Sequence, residues 1–182
     1  MSAAMLISAL PSFAQKFSIS TNLLDYACLG TLNLDASYSV SRRWSITAGA
    51  RYNPFTFNEN RKWKHYQWQG EARYWFCERF YRHFMGLHVG GGEFNVSRMP
   101  GLLPKFSEDY RYEGWAVKAG LSYGYSFVLG GRWNLEATLG LGVVYADYDK
   151  FACTVCGDRL SSGAGLHFAP TKAGITFVYM IR

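Results

Sequence analysis

Cys153-Thr154-Val155-Cys156 is a CxxC spacing late in this 182-residue chain. Two thiols so placed can close a disulfide, supply half of a zinc site or carry thiol–disulfide exchange. Zinc needs a second pair of ligands, and Cys28, Asp158 and His167 are the candidates. Exchange chemistry needs the motif at a helix start beside a βαβ unit, which the flanking residues do not suggest. In an exported chain, oxidising conditions make a loop-stapling disulfide between Cys153 and Cys156 the expectation, with free thiols and a metal as alternatives. Cys77 lies at the other end of a strand, beyond the ~7 Å that a bridge tolerates. No cofactor is expected.

Six charged residues interrupt faces made otherwise of small residues: Asp35, Arg51, Glu71, Arg73, Lys118 and Glu136. Isolated charges in an interior are costly, so these six are expected to pair with one another as a salt-bridged plug. A gate or proton path is the alternative. Arg61, Lys62, Trp63 and Lys64 form a basic, aromatic patch in an expected loop. Charge plus stacking could serve nucleic acid, but lipopolysaccharide phosphates at a membrane surface are the expected partner. A lipid hydrolase would need a Ser–His pair oriented by an acid. His65, His83, His88 and His167 are read at a rim, in an inner turn, facing an interior and in a loop, none sharing a face with both partners. The expectation is no enzyme.

Elements must place these groups, and the apolar pattern has period two throughout. Trp115-Val117-Ala119-Leu121-Tyr123-Tyr125-Phe127 alternates with Ala116, Lys118, Gly120, Ser122, Gly124 and Ser126. Seven further segments behave similarly: Phe17–Leu24, Leu32–Val40, Arg43–Tyr52, Tyr66–Cys77, Phe84–Phe94, Trp133–Tyr145 and Ala173–Ile181. The formal net charge of +6 would suit a nucleic-acid binder, yet aromatics reach 18% and charged residues only 18%. The polar faces are Gly, Ser, Ala and Thr, too small for a solvated surface. The apolar faces carry Trp or Tyr near their ends: Trp44 and Tyr52, Trp115 and Tyr125, Trp133 and Tyr145. That inverts a soluble sandwich and fits a membrane barrel with two aromatic girdles.

Connections alternate in length. Ser41-Arg42, Glu78–His83 and Leu129-Gly130-Gly131-Arg132 are short, and Asn53–His65, Asn95–Tyr112 and Tyr148–Pro170 are long. With Asp25–Thr31 as a shorter outer connection, both termini fall on the short-turn side, which predicts an all-β fold, an eight-stranded antiparallel transmembrane up-and-down β-barrel. Eight strands enclose an interior filled by side chains, without a pore for solutes. No apolar run after the N-terminus approaches ~18 residues, so a membrane-crossing helix is not expected. Residues 1–15 read as a signal-peptide remnant cut after Ala14, and residues 16–182 as the barrel.

Asn53-Pro54-Phe55-Thr56-Phe57, Glu71-Ala72-Arg73-Tyr74-Trp75-Phe76, Arg111-Tyr112-Glu113-Gly114-Trp115, Arg132-Trp133-Asn134-Leu135-Glu136-Ala137 and Pro170-Thr171-Lys172-Ala173-Gly174 together resemble the DUF3575 family. The resemblance spans about Phe17 to Arg182. It implies a small outer-membrane barrel of Bacteroidetes, often encoded near fimbria-like gene clusters, and supplies no catalytic residues. The expected function is a structural or interaction protein at the surface of a Gram-negative cell, linked to fimbria-like assembly. An enzyme acting on lipid or lipopolysaccharide is the alternative from a different class, and a narrow channel a third. Expected partners are membrane lipid, lipopolysaccharide and a surface or fimbrial protein, with no nucleic acid and a monomeric state.

Overall fold

The computed structural model describes residues 16–27, 30–57, 61–97, 110–152 and 157–181. The expected signal remnant, and the loop carrying Cys153 and Cys156, lie outside the described residues. The strands are β1 (Phe17–Asn22), β2 (Leu32–Ser39), β3 (Trp44–Asn53), β4 (Thr56–Phe57), β5 (Arg61–Trp75), β6 (Arg82–Ser97), β7 (Arg111–Gly130), β8 (Trp133–Phe151) and β9 (Arg159–Ile181). All pairings are antiparallel, and β3 and β4 both pair with β5, so β4 continues β3 beyond Pro54-Phe55. β1 pairs with β2 on one side and β9 on the other. Eight up-and-down strands therefore close into a ring, with no unpaired sheet edge along the closed part.

The ring inverts a water-soluble core. Ser18, Asn33, Ser37, Ser45, Thr47, Ser122 and Thr138 are buried, while Leu87 is 64% exposed and Leu121 57%. Period two explains this: successive side chains point to opposite faces, and in a ring one face is the interior. Tyr52, Tyr66 and Trp115 lie in one row of the ladder, Tyr52 opposite Tyr66 and Glu93 opposite both Tyr66 and Trp115. At the other end Trp44 packs on Tyr74 at 5.3 Å and Trp133 on Tyr179 at 4.6 Å. Between these levels the outer wall is aliphatic, with Ile46, Leu87, Val89, Leu121, Leu141 and Val143 exposed.

The short connections fall where the period-two pattern breaks. Gly130 and Gly131 turn between β7 and β8 with φ of 115° and 61°, a left-handed backbone that side chains resist. The expected long connections are shorter than the sequence suggests. β5 begins at Arg61, so the basic patch expected in a loop stands in a strand. β7, β8 and β9 reach 20, 19 and 23 residues. Their outer ends mix charged residues and glycines into both faces, which hides the alternation. Ladder bonds persist there, supported by Lys150 Nζ 3.6 Å from the Tyr110 ring centre and by an Arg159–Asp149 ion pair at 2.9 Å. The first connection also differs. Residues 23–27 form a short helix, α1 (Leu23–Ala27), started by Asn22, whose Oδ1 accepts the Leu24 N–H at 3.2 Å.

Candidate interior site

Three layers fill the ring, each positioned by strand parity. At the short-turn end Trp75, Phe84 and Met180 meet Phe80, which reaches in from the connection between β5 and β6. Trp75 lies 4.7 Å from Phe84 and 5.6 Å from Phe80 between ring centres. Phe80 has φ of 60°, uncommon for a residue with a side chain. Its carbonyl is fixed by Asn134 Nδ2 at 2.7 Å and Ser126 Oγ at 3.2 Å. Trp75 Nε1 donates to Ser45 Oγ at 2.9 Å, so the indole N–H is satisfied.

Above this layer sits a charge cluster. Glu71 Oε2 accepts from Arg73 Nε at 2.5 Å and from Lys172 Nζ at 2.6 Å, and its Oε1 accepts from Ser122. Arg73 Nη1 donates to Glu136 Oε2 at 2.9 Å while the guanidinium lies 4.7 Å over the Phe84 ring. Four strands, β5, β7, β8 and β9, are thus tied through one carboxylate and one guanidinium. Gly86 on β6 makes room: a Cβ there would stand 2.7 Å from Glu71 Oε1 and 2.6 Å from Ser122 Oγ. A second, smaller group joins Arg51 Nε to Asp25 at 2.9 Å and Arg51 Nη2 to Asp35 at 3.4 Å.

The six expected interior charges therefore all face inward, but they divide. Glu71 and Glu136 both meet Arg73, Asp35 and Arg51 meet across β2 and β3, and Lys118 joins neither group. Lys118 Nζ donates instead to the Thr171 carbonyl at 3.0 Å. The two carboxylates of the cluster, Glu71 and Glu136, are taken by Lys172 and Arg73. Lys172 and Asp25 were not among the expected charges. Lys172 follows Thr171, the extra residue where the β8–β9 register shifts between Gly140 opposite Lys172 and Leu141 opposite Pro170. That bulge also turns Thr171 inward, where its Oγ1 lies 2.7 Å from His88 Nε2.

The third layer is space. Toward the long-connection end the interior holds a cavity of about 820 Å³, bordered by Arg51, Trp63, His65, Phe94, Lys118 and Tyr148 among others. The interior expected to be filled by side chains is filled over only part of its length. Gly114 and Ala116 on β7, Ala146 on β8, and Gly163 and Gly165 on β9 are the small residues at inward ladder positions toward this end. His167, expected in a loop, is inward on β9 and borders the same cavity. His83 is on β6 rather than in a turn, and its Nδ1 lies 2.6 Å from the Tyr123 hydroxyl. The basic patch is divided by the wall. Trp63 borders the cavity, Lys64 is exposed on the outer face, and Lys62 shares that face. Arg61 begins the strand.

Chemically, His88 and Thr171 have the distance of a base and a hydroxyl nucleophile. His88 Nδ1, however, is buried without a hydrogen-bond partner, so no acid orients the ring. Among the described residues no group of three or more His, Cys, Asp and Glu side chains is placed to hold a metal ion. Cys77 is a free, exposed thiol in the connection between β5 and β6.

With this geometry in view, residues 1–181 match the family model described as a protein of unknown function, DUF3575. The chain belongs to the DUF3575 family. No curated protein and no solved structure matches it. Membership therefore names no activity, and the interior of this member has to be interpreted on its own chemistry.

Proposed function

We propose that this chain is an outer-membrane β-barrel of a Gram-negative cell, closed at its periplasmic end, that serves as a structural or interaction protein at the cell surface. The observation that carries the reading is the inverted burial: an aliphatic outer wall bounded by two aromatic levels around a polar interior. On β3, the stretch from Trp44 to Tyr52 has about the 9–11 residues that a tilted membrane-crossing strand needs. The aromatic layer and charge cluster beneath the cavity support a non-conducting barrel. Lys62 and Lys64 beside the outer aromatic level suit lipopolysaccharide phosphates, and the extended β7–β9 ends suit a surface protein such as a fimbrial component. An enzyme acting on lipid would draw on His88 and Thr171, and the unoriented imidazole favours the interaction reading.

Refolding into phosphatidylcholine vesicles tests the membrane assignment. Folded protein should migrate differently on gels when unheated. Ala48 is midway between Trp44 and Tyr52, and its ladder row runs through Gly70 to Val89. Val89→Arg therefore places a cation at the midplane and should cost about 2–4 kcal/mol of folding free energy in vesicles. A chain that folds in plain buffer, or one indifferent to Val89→Arg, would sink the assignment.

A further inference from the structure

We infer that the outer half of the interior is a binding site for a small organic anion, a carboxylate carried on an apolar or aromatic body. Its volume of about 820 Å³ falls among those of small-molecule sites. Trp63, Phe94, Val96 and Tyr148 supply broad apolar and aromatic walls. Among the described residues, the formally charged ones that border it are Asp25, Arg51, Lys118 and Lys172, three cations and one anion.

Those charges are not equally occupied. Asp25 is held by Arg51 and Lys172 by Glu71. Lys118 has no carboxylate partner among the described residues; its hydrogen bond goes to the Thr171 carbonyl, a neutral acceptor. An ammonium carries three donors, and one kept half-buried among apolar walls without a counter-ion is costly. Arg51, on the same cavity wall, keeps a buried Nη1 without a hydrogen-bond partner. An anion seated by Lys118 supplies the missing charge, and its apolar body lies along the Trp63, Phe94 and Tyr148 walls. A cation would meet three like charges, and inorganic phosphate would leave the aromatic walls unused. The inference is drawn from the interior, and its test in discs rests on the membrane reading, which the unheated gel shift of the parent chain checks first.

Fluorine NMR on the full chain in zwitterionic nanodiscs provides the test, with empty discs as the reference. The probes are a trifluoromethyl-biphenyl carboxylate, its neutral amide and its aminomethyl cation. The carboxylate should bind saturably, at least about tenfold more tightly than either other probe, since a charged hydrogen bond is worth about that much. Lys118→Met should remove that preference and Lys118→Arg should keep it. Equal binding of all three probes, no saturable binding, or an unchanged preference in Lys118→Met would overturn the inference. Should Lys118→Met fail the unheated gel shift, the three-probe comparison on the parent chain decides. Adding an anionic lipid to the discs distinguishes a carboxylate taken from solution from one drawn from the membrane. Undiminished probe binding supports the soluble source, and displacement by the lipid overturns it.

Discussion

The two halves of the interior are built by largely the same strands with the same parity, yet one is solid and the other hollow. At the short-turn end Trp75, Phe80, Phe84 and Met180 interlock beneath carboxylates and cations that pair with one another. At the long-connection end the inward Trp63, Phe94 and Tyr148 border a cavity instead of closing on one another, and a lysine stands beside empty volume. Parity decides which side chains enter a ring. Their size, and whether each charge finds a partner, decides whether the ring is a plug or a container.

Three single substitutions, the first extended to a double, sharpen that contrast in falling order of effect. Glu71→Ala strips Arg73 and Lys172 of their shared acceptor and should cost about 3–5 kcal/mol, because the cations stay buried. Adding Lys172→Met should restore a good part of the loss, measured as a double-mutant cycle by reversible unfolding in lipid. An unchanged denaturation midpoint for Glu71→Ala would mean that the cluster does not hold the solid half together. Phe84→Ala removes an aromatic packed on Trp75 and under Arg73 and should cost about 3 kcal/mol. It should also raise ion leakage through planar bilayers, whereas a tight bilayer would place the barrier elsewhere. Lys118→Met in the hollow half should shift stability by less than about 1 kcal/mol, since one bond to a carbonyl is lost and an unpaired charge is relieved. A loss as large as that of Glu71→Ala would erase the distinction between the halves.

Much of the ring was legible because alternation is local. Glu71, Arg73, Glu136, Asp35, Arg51 and Lys118 could be assigned inward from their neighbours on one strand. Partnership was not legible, because it depends on register between strands. Lys118 stands opposite Gly90 on β6, while Glu71 stands opposite His88, and the bulge at Thr171 delivers Lys172 to Glu71 first. Pro170 read as the end of a loop, since proline removes a ladder donor. β9 instead passes through it and bulges, so Lys172 was left outside the strand. Trp63 and His167 were hidden for a related reason: charged and glycine-rich flanks masked a period that neighbouring strands enforce. The signal for both was parity carried outward from Gln67 and from Ala169.

The unequal strand lengths have a mechanical meaning. β1 has six residues and β9 has 23, so roughly 50 Å of β9 runs on past the end of its partner. The wall is therefore a ramp, low along β1–β3 and tall along β7–β9, and a large body approaching the outer end touches the tall side first. A pull on that tip runs nearly parallel to the strands. The cross-strand bonds between β8 and β9 are then loaded in shear, all sharing the force, instead of being peeled apart singly as they would be by a pull across the sheet.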